Sequence, residues 1–110
     1  MAWLYLIAAG LFEIGWPLGF KLAQGDNGYN PGIWFTVSAI SMAVSGLLLF
    51  MAQKTIPIGV AYAAWTGIGA VGTYLIGVWF FNDSASVLSW IGLVLIVSGI
   101  SMLKISVLGR

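Results

Sequence analysis

The chain has 110 residues, of which 61% are hydrophobic and 6% charged, and its formal charge is +1. Soluble domains run near about 45–50% apolar and ~25% charged, so a water-soluble core is excluded, and so small a net charge leaves no basic footprint for nucleic acid. The sequence contains neither Cys nor His, which removes thiol redox chemistry, disulfides and the usual zinc or copper sites, and no cofactor is expected.

No charge occurs from Asn27 to Gln53, from Thr55 to Asn82 or from Ser84 to Leu103. Each run reaches the roughly 20 residues that a helix needs to cross a hydrocarbon core of ~30 Å. With Trp3 to Ala23 as the first span, the sequence predicts four transmembrane helices near 3–23, 32–53, 57–81 and 86–106. The fold class is therefore an all-α integral membrane four-helix bundle forming one domain over 1–110. The longest connection, "QGDNGYNPG", is rich in turn residues; "KTIP" and "NDSAS" are shorter. No extramembrane catalytic domain remains, so no enzyme activity is expected. The N-terminus lacks the basic region and cleavage site of a signal peptide and should be retained. Lys54, Lys104 and Arg110 fall on one side and Lys21 on the other. This slight asymmetry favours cytoplasmic termini by the positive-inside rule, and it permits insertion in both directions.

Helix one contains "GLFEIGWPLGFK". A carboxylate at mid-membrane costs ~2.5–3.5 kcal/mol on insertion scales, so Glu13 should face a bundle interior or a watery cavity and be functional. Trp16, three residues on, shares its face. Pro17 lacks an N–H and cannot donate to the carbonyl four residues earlier, which is that of Glu13 itself. A bend at Pro17 is expected, with the freed carbonyl facing a hydrated site or a cation. Gly15 and Gly19 form a GxxxG packing pair.

Helix two places Ser38, Ser41 and Ser45 on one stripe. Most membrane serines bond back to their own helix; if this stripe faces Glu13, the hydroxyls are candidates to hold its carboxylate. Helix three opens at Pro57, suited to a first turn. It sets Tyr62 and Trp65 on one face, and its glycines make a bend near Gly67 to Gly69 plausible. Helix four carries no intramembrane charge. Gly92 and Gly99 fall on one stripe and read as a helix–helix contact. An acid with adjacent aromatics and hydroxyls suits an organic cation, by charge pairing and cation–π attraction. Four short helices are few to enclose a pathway, so a homodimer bringing two Glu13 side chains together is expected.

These features resemble the small multidrug resistance family of bacterial inner-membrane exporters over nearly the whole chain. The resemblance is carried by Glu13 in "GLFEIGW", by "IPIGVAYAAWTGIGAVG" and by "GLVLIVSG". Trp16 and "AWTGIGA" look like the guanidinium-exporter subtype. The resemblance implies that Glu13 binds proton and substrate in competition and that Trp16, Ser45, Tyr62 and Trp65 line the site. It implies that Gly67 to Gly69 bend the third helix, and that Gly92 and Gly99 make the dimer contact of an antiparallel, dual-topology homodimer. Some relatives pair as heterodimers with a paralogue. Pro17 departs from the small or aliphatic residue common at its position, and the first loop lacks its common arginine.

The function implied is export of guanidinium or small substituted guanidinium ions from a multi-pass protein of the inner membrane, in exchange for protons. A planar guanidinium offers forked N–H donors that fit carboxylate oxygens, and Trp16 and Ser45 are expected to hold the carboxylates in register. The alternatives are a promiscuous exporter of quaternary ammonium ions, a passive cation channel, and a non-transporting membrane partner.

Overall fold

The computed structural model describes residues 1–24 and 28–108. The middle of the first loop and Arg110, counted above for orientation, lie outside the described residues. Four helices follow one another, α1 (Ala2–Leu22), α2 (Pro31–Ala52), α3 (Ile58–Phe80) and α4 (Val87–Leu108). All four are long and apolar enough to cross a membrane. Each end lies within two residues of its expected position.

Local chemistry sets several of these ends. Asn30 caps α2, its Oδ1 accepting from Gly32 N–H at 2.9 Å and Ile33 N–H at 3.3 Å, with Pro31 in the first helical turn where its missing donor is not needed. At the end of α3, Asn82 takes a left-handed φ of 57°. The chain then folds back, and the Asp83 N–H donates to the Gly77 carbonyl at 3.0 Å. Ser86 and Ser89 cap α4 reciprocally, each backbone N–H donating to the other's hydroxyl at 2.9 and 3.2 Å. The Tyr74 hydroxyl donates to Ser89 Oγ at 2.6 Å and so ties α3 to the start of α4.

Helix α1 is the hub. It packs against both α2 and α3, while the backbone of α4 rests on α3 alone. Going up α1, residues meet progressively earlier positions of α2: Ala9 meets Ser45, Gly15 meets Ser41 and Gly19 meets Ser38. The two helices are therefore antiparallel. Against α3 the order ascends together, Gly10 at Ile68, Glu13 at Gly69 and Ile14 at Gly72, so α1 and α3 are parallel.

The buried core is made of small and medium side chains, Leu6, Ala9, Ala52, Ile56, Ala61 and Ala64, together with Ser38 and Ser45. Between helices in lipid, association comes from close backbone approach and hydrogen bonds rather than from hydrophobic expulsion, and this core is of that kind. The molecule is a slab of 50 × 34 × 17 Å, thin enough that most large apolar side chains face outward, as lipid contact allows.

Candidate proton and cation site

Glu13 sits on the α3 face of α1, partly buried. It approaches α3 at Gly69, where an added Cβ would stand 2.5 Å from Glu13 Cγ. The glycine therefore makes room for the acid, since a Cβ there would force the Glu13 side chain to shift. One turn along α1, Trp16 Nε1 donates to Glu13 Oε1 at 2.6 Å. The i, i+3 spacing brings the two side chains together without help from another helix. The Trp16 ring meets Phe20 edge-on at 5.5 Å, and Phe20 continues to Phe35 of α2 at 5.2 Å.

A second network lies one turn nearer the N-terminus. Trp65 Nε1 of α3 donates to Ser45 Oγ of α2 at 2.8 Å, and Ser45 Oγ donates to the Ala9 carbonyl of α1 at 2.7 Å. Three helices are thus joined through one buried hydroxyl. Tyr62 packs its ring 5.5 Å from that of Trp65 and is 57% exposed. Glu13 and Trp16 form one group, and Ser45, Trp65 and Tyr62 another; Ala9 links them, because its carbonyl is the helical acceptor for the Glu13 N–H.

Ser45 differs from its expected role. Its hydroxyl proton goes to the Ala9 carbonyl and not to the Glu13 carboxylate. The reason is register: Ser45 faces α1 one turn before the acid, where the nearest strong acceptor is backbone. It grips the main chain beneath Glu13, while Trp16 holds the carboxylate. The serine stripe also departs from the usual pattern of bonding back to its own helix. Thr36, Ser101 and Ser106 do bond to carbonyls of their own helices. Ser38 and Ser45 instead reach across to α1, Ser38 Oγ donating to the Trp16 carbonyl at 2.8 Å.

Helical structure continues through Pro17 in α1 and through Gly67 and Gly69 in α3. Both glycines are contact points here, Gly67 against Ile96 and Ile100 of α4 and Gly69 against Glu13. Among the described residues, Gly92 and Gly99 meet no atom beyond their own helix backbone within 4 Å of a built Cβ. Sequence reasoning did not assign Ser38 its cross-helix bond, nor Gly69 its contact with the acid. The signals were present, in the stripe spacing and in the glycine itself, but which helix each faced depended on register.

The arrangement offers a carboxylate with one oxygen held by an indole donor, on a face shared with aromatics. Such a group takes either a proton or a cation bearing N–H donors, and not both at the same oxygen.

The family model for the small multidrug resistance protein matches residues 1–96. A protein named guanidinium exporter from Yersinia pestis is 43% identical over 106 residues, covering 96% of this chain and 99% of that protein. Proteins of the same name from Salmonella typhi and Citrobacter freundii are 43% and 42% identical over 106 residues, covering 96% of this chain and 98% of each relative. With four helices able to span a bilayer and relatives named as exporters and not as enzymes, this is a multi-pass membrane protein, and the chain belongs to the small multidrug resistance family.

Proposed function

We propose that this protein exports guanidinium or small substituted guanidinium ions across the bacterial inner membrane in exchange for protons, and that Glu13 is the group both ligands occupy. The observation that carries the substrate class is the 43% identity, over 96% of the chain, to proteins named guanidinium exporter. The chemistry is consistent with it. Trp16 Nε1 fixes one Glu13 oxygen at 2.6 Å, leaving remaining acceptor positions for the forked donors of a planar cation. A proton taken by the same carboxylate removes the charge that holds the cation, and this mutual exclusion couples the two fluxes.

Trp65 and Tyr62 supply aromatic surface one turn from the acid, and Ser45 fixes the backbone under it. The second Glu13 comes from a second copy in an antiparallel homodimer; a paralogue in that place would serve the same geometry. Three features support a partner. None of the α4 span is buried within the protomer, Gly92 and Gly99 have open space before them, and Tyr62 is largely exposed. Access alternates between the two membrane faces through bends at Pro17 and at Gly67 and Gly69.

Currents on solid-supported membranes from purified protein in proteoliposomes test this. Guanidinium should drive currents whose sign follows the opposed pH gradient, and tetraethylammonium, which lacks N–H donors, should give little. Equal responses to both cations favour the promiscuous exporter, and guanidinium currents insensitive to the pH gradient favour a channel. Failure of guanidinium to release protons from the protein at any pH overturns the exchange reading.

A further inference from the structure

On the flank of α1 away from Trp16, a cavity of about 220 Å³ opens between α1 and α3. Ile14, Leu18 and Ile76 wall it, Lys21 and Asp83 stand at one end, and neither Glu13 nor Trp16 lines it. Leu18 continues the seven-residue stripe of Leu4 and Leu11, which are 62% and 57% exposed, so the cavity shares the outward apolar face of α1. The apolar walls run on past Ile14, which lines a second cavity together with Leu11 and Val71. The two make one groove along the α1–α3 seam, charged only at the end where both helices finish.

That charged end is built. Asn82 in its left-handed conformation and the bond from Asp83 N–H to the Gly77 carbonyl turn the chain back at the close of α3. The carboxylate is thereby laid against Gly77, its Oδ2 2.5 Å from a built Cβ. An anion against the last turn of a helix meets the negative end of its dipole, so a cation is favoured there. Lys21 does not supply one directly. Its Nζ lies over the Phe81 ring, 5.8 Å from the centroid, and among the described residues no ion pair or hydrogen bond joins Lys21 to Asp83. One end of the groove thus presents an ammonium and a carboxylate, neighbouring and unpaired. Exposed Trp79 and Phe80 at the end of α3 mark this as the interfacial level of the membrane.

We propose that the groove binds a phospholipid whose headgroup carries both a phosphate and a primary ammonium, that of phosphatidylethanolamine. Lys21 takes the phosphate, Asp83 takes the ammonium, and an acyl chain lies along Ile14, Leu18 and Ile76. Basic pockets between membrane helices hold anionic headgroups; this one carries both signs and suits a headgroup that does the same. An ammonium brings N–H donors to the carboxylate. A choline headgroup has the same charge without donors, and an anionic glycerol headgroup brings no cation to Asp83, so both fit less well. Lipid binding here is independent of the exchange reading, because none of the residues placed around the cation lines the groove.

The test is native mass spectrometry of the purified protein in detergent, offered phosphatidylethanolamine, phosphatidylcholine and phosphatidylglycerol with identical chains. Phosphatidylethanolamine should be retained at least about fivefold over either of the others. Asp83→Asn should bring it down to the phosphatidylcholine level, and Lys21→Gln should lower both of these lipids about equally. Equal retention of the three by the wild type, best retention of phosphatidylglycerol, or a preference that survives Asp83→Asn overturns the site. Water-soluble phosphoethanolamine, which lacks chains, should not displace the lipid at equal concentration; displacement overturns the lipid as occupant. Thermal unfolding separates lipid binding from a direct ion pair. In lipid-free detergent the effects of Lys21→Gln and Asp83→Asn should add, and phosphatidylethanolamine should raise the unfolding temperature of the wild type more than that of either variant. Coupling without lipid that the lipid leaves unchanged shows a Lys21–Asp83 pair and overturns the proposal. Guanidinium affinity should stay within about twofold in both variants; a larger loss assigns the two charges to the cation and not to the lipid.

Discussion

Helix α1 has two seams, and they are built differently. Toward α2, hydroxyls cross to backbone carbonyls: Ser38 to Trp16 and Ser45 to Ala9. Ser38 and Ser45 are both fully buried. Toward α3, glycines admit side chains: Gly69 receives Glu13 and Gly72 receives Ile14, and beyond them Thr73 borders a cavity. The first seam is close-packed and tied by two cross-helix hydrogen bonds, as a support should be. The second holds the acid, close side-chain-to-glycine contacts and, beyond them, space. A transporter needs both, because a carboxylate must be held in place by something that does not move while its own surroundings change. Ser45 joins the seams, since it also accepts from Trp65 of α3.

Substitutions can break or sharpen this contrast. The largest expected effect is at the acid: Glu13→Gln should reduce proton-driven guanidinium currents by about 100-fold or more, with the protein still folded. Gly19→Ala attacks the α2 seam. Its Cβ would run into Ser38 Oγ and stand 2.9 Å from the Trp34 carbonyl, a backbone atom that cannot swing away. A stability loss of about 2 kcal/mol is expected by thermal unfolding in detergent, with the KM of the folded fraction unchanged. Ser45→Ala strips the Trp65 indole and the Ala9 carbonyl of their shared partner and should destabilise by about 1.5 kcal/mol. Gly69→Ala presses on Glu13 Cγ at 2.5 Å, but a flexible side chain yields more readily than backbone. Transport should fall about tenfold while the unfolding temperature moves little. Were Gly69→Ala to unfold the protein and Gly19→Ala to alter KM, the division of labour between the seams would be wrong. The smallest effect on the protomer is at Gly92, where a built Cβ meets open space. Gly92→Val should leave stability within about 0.5 kcal/mol, yet cross-linking in the membrane should report less dimer if α4 is the contact surface.

Much of the protein was legible from composition. Charge-free runs long enough to cross a bilayer admit few alternatives to helices, because lipid offers no partner for exposed backbone. The Glu13–Trp16 bond was legible as well, since two side chains three apart on one helix meet whatever surrounds them. Ser45 was read as holding the carboxylate and instead holds the main chain below it. A shift of one helical turn between α1 and α2 makes that difference, and no periodicity within either helix fixes their relative height.

The sequence alone determined the number of spans, their approximate limits, and the presence of an acid with an indole donor beside it, all of which depend on local spacing and on transfer of side chains into lipid. Tertiary structure decided which glycine faces the acid, which carbonyl each serine takes, and that Lys21 and Asp83 share one end of the α1–α3 groove. Those outcomes follow from the register of one helix against another, a quantity set by packing across the interface and carried by no single segment.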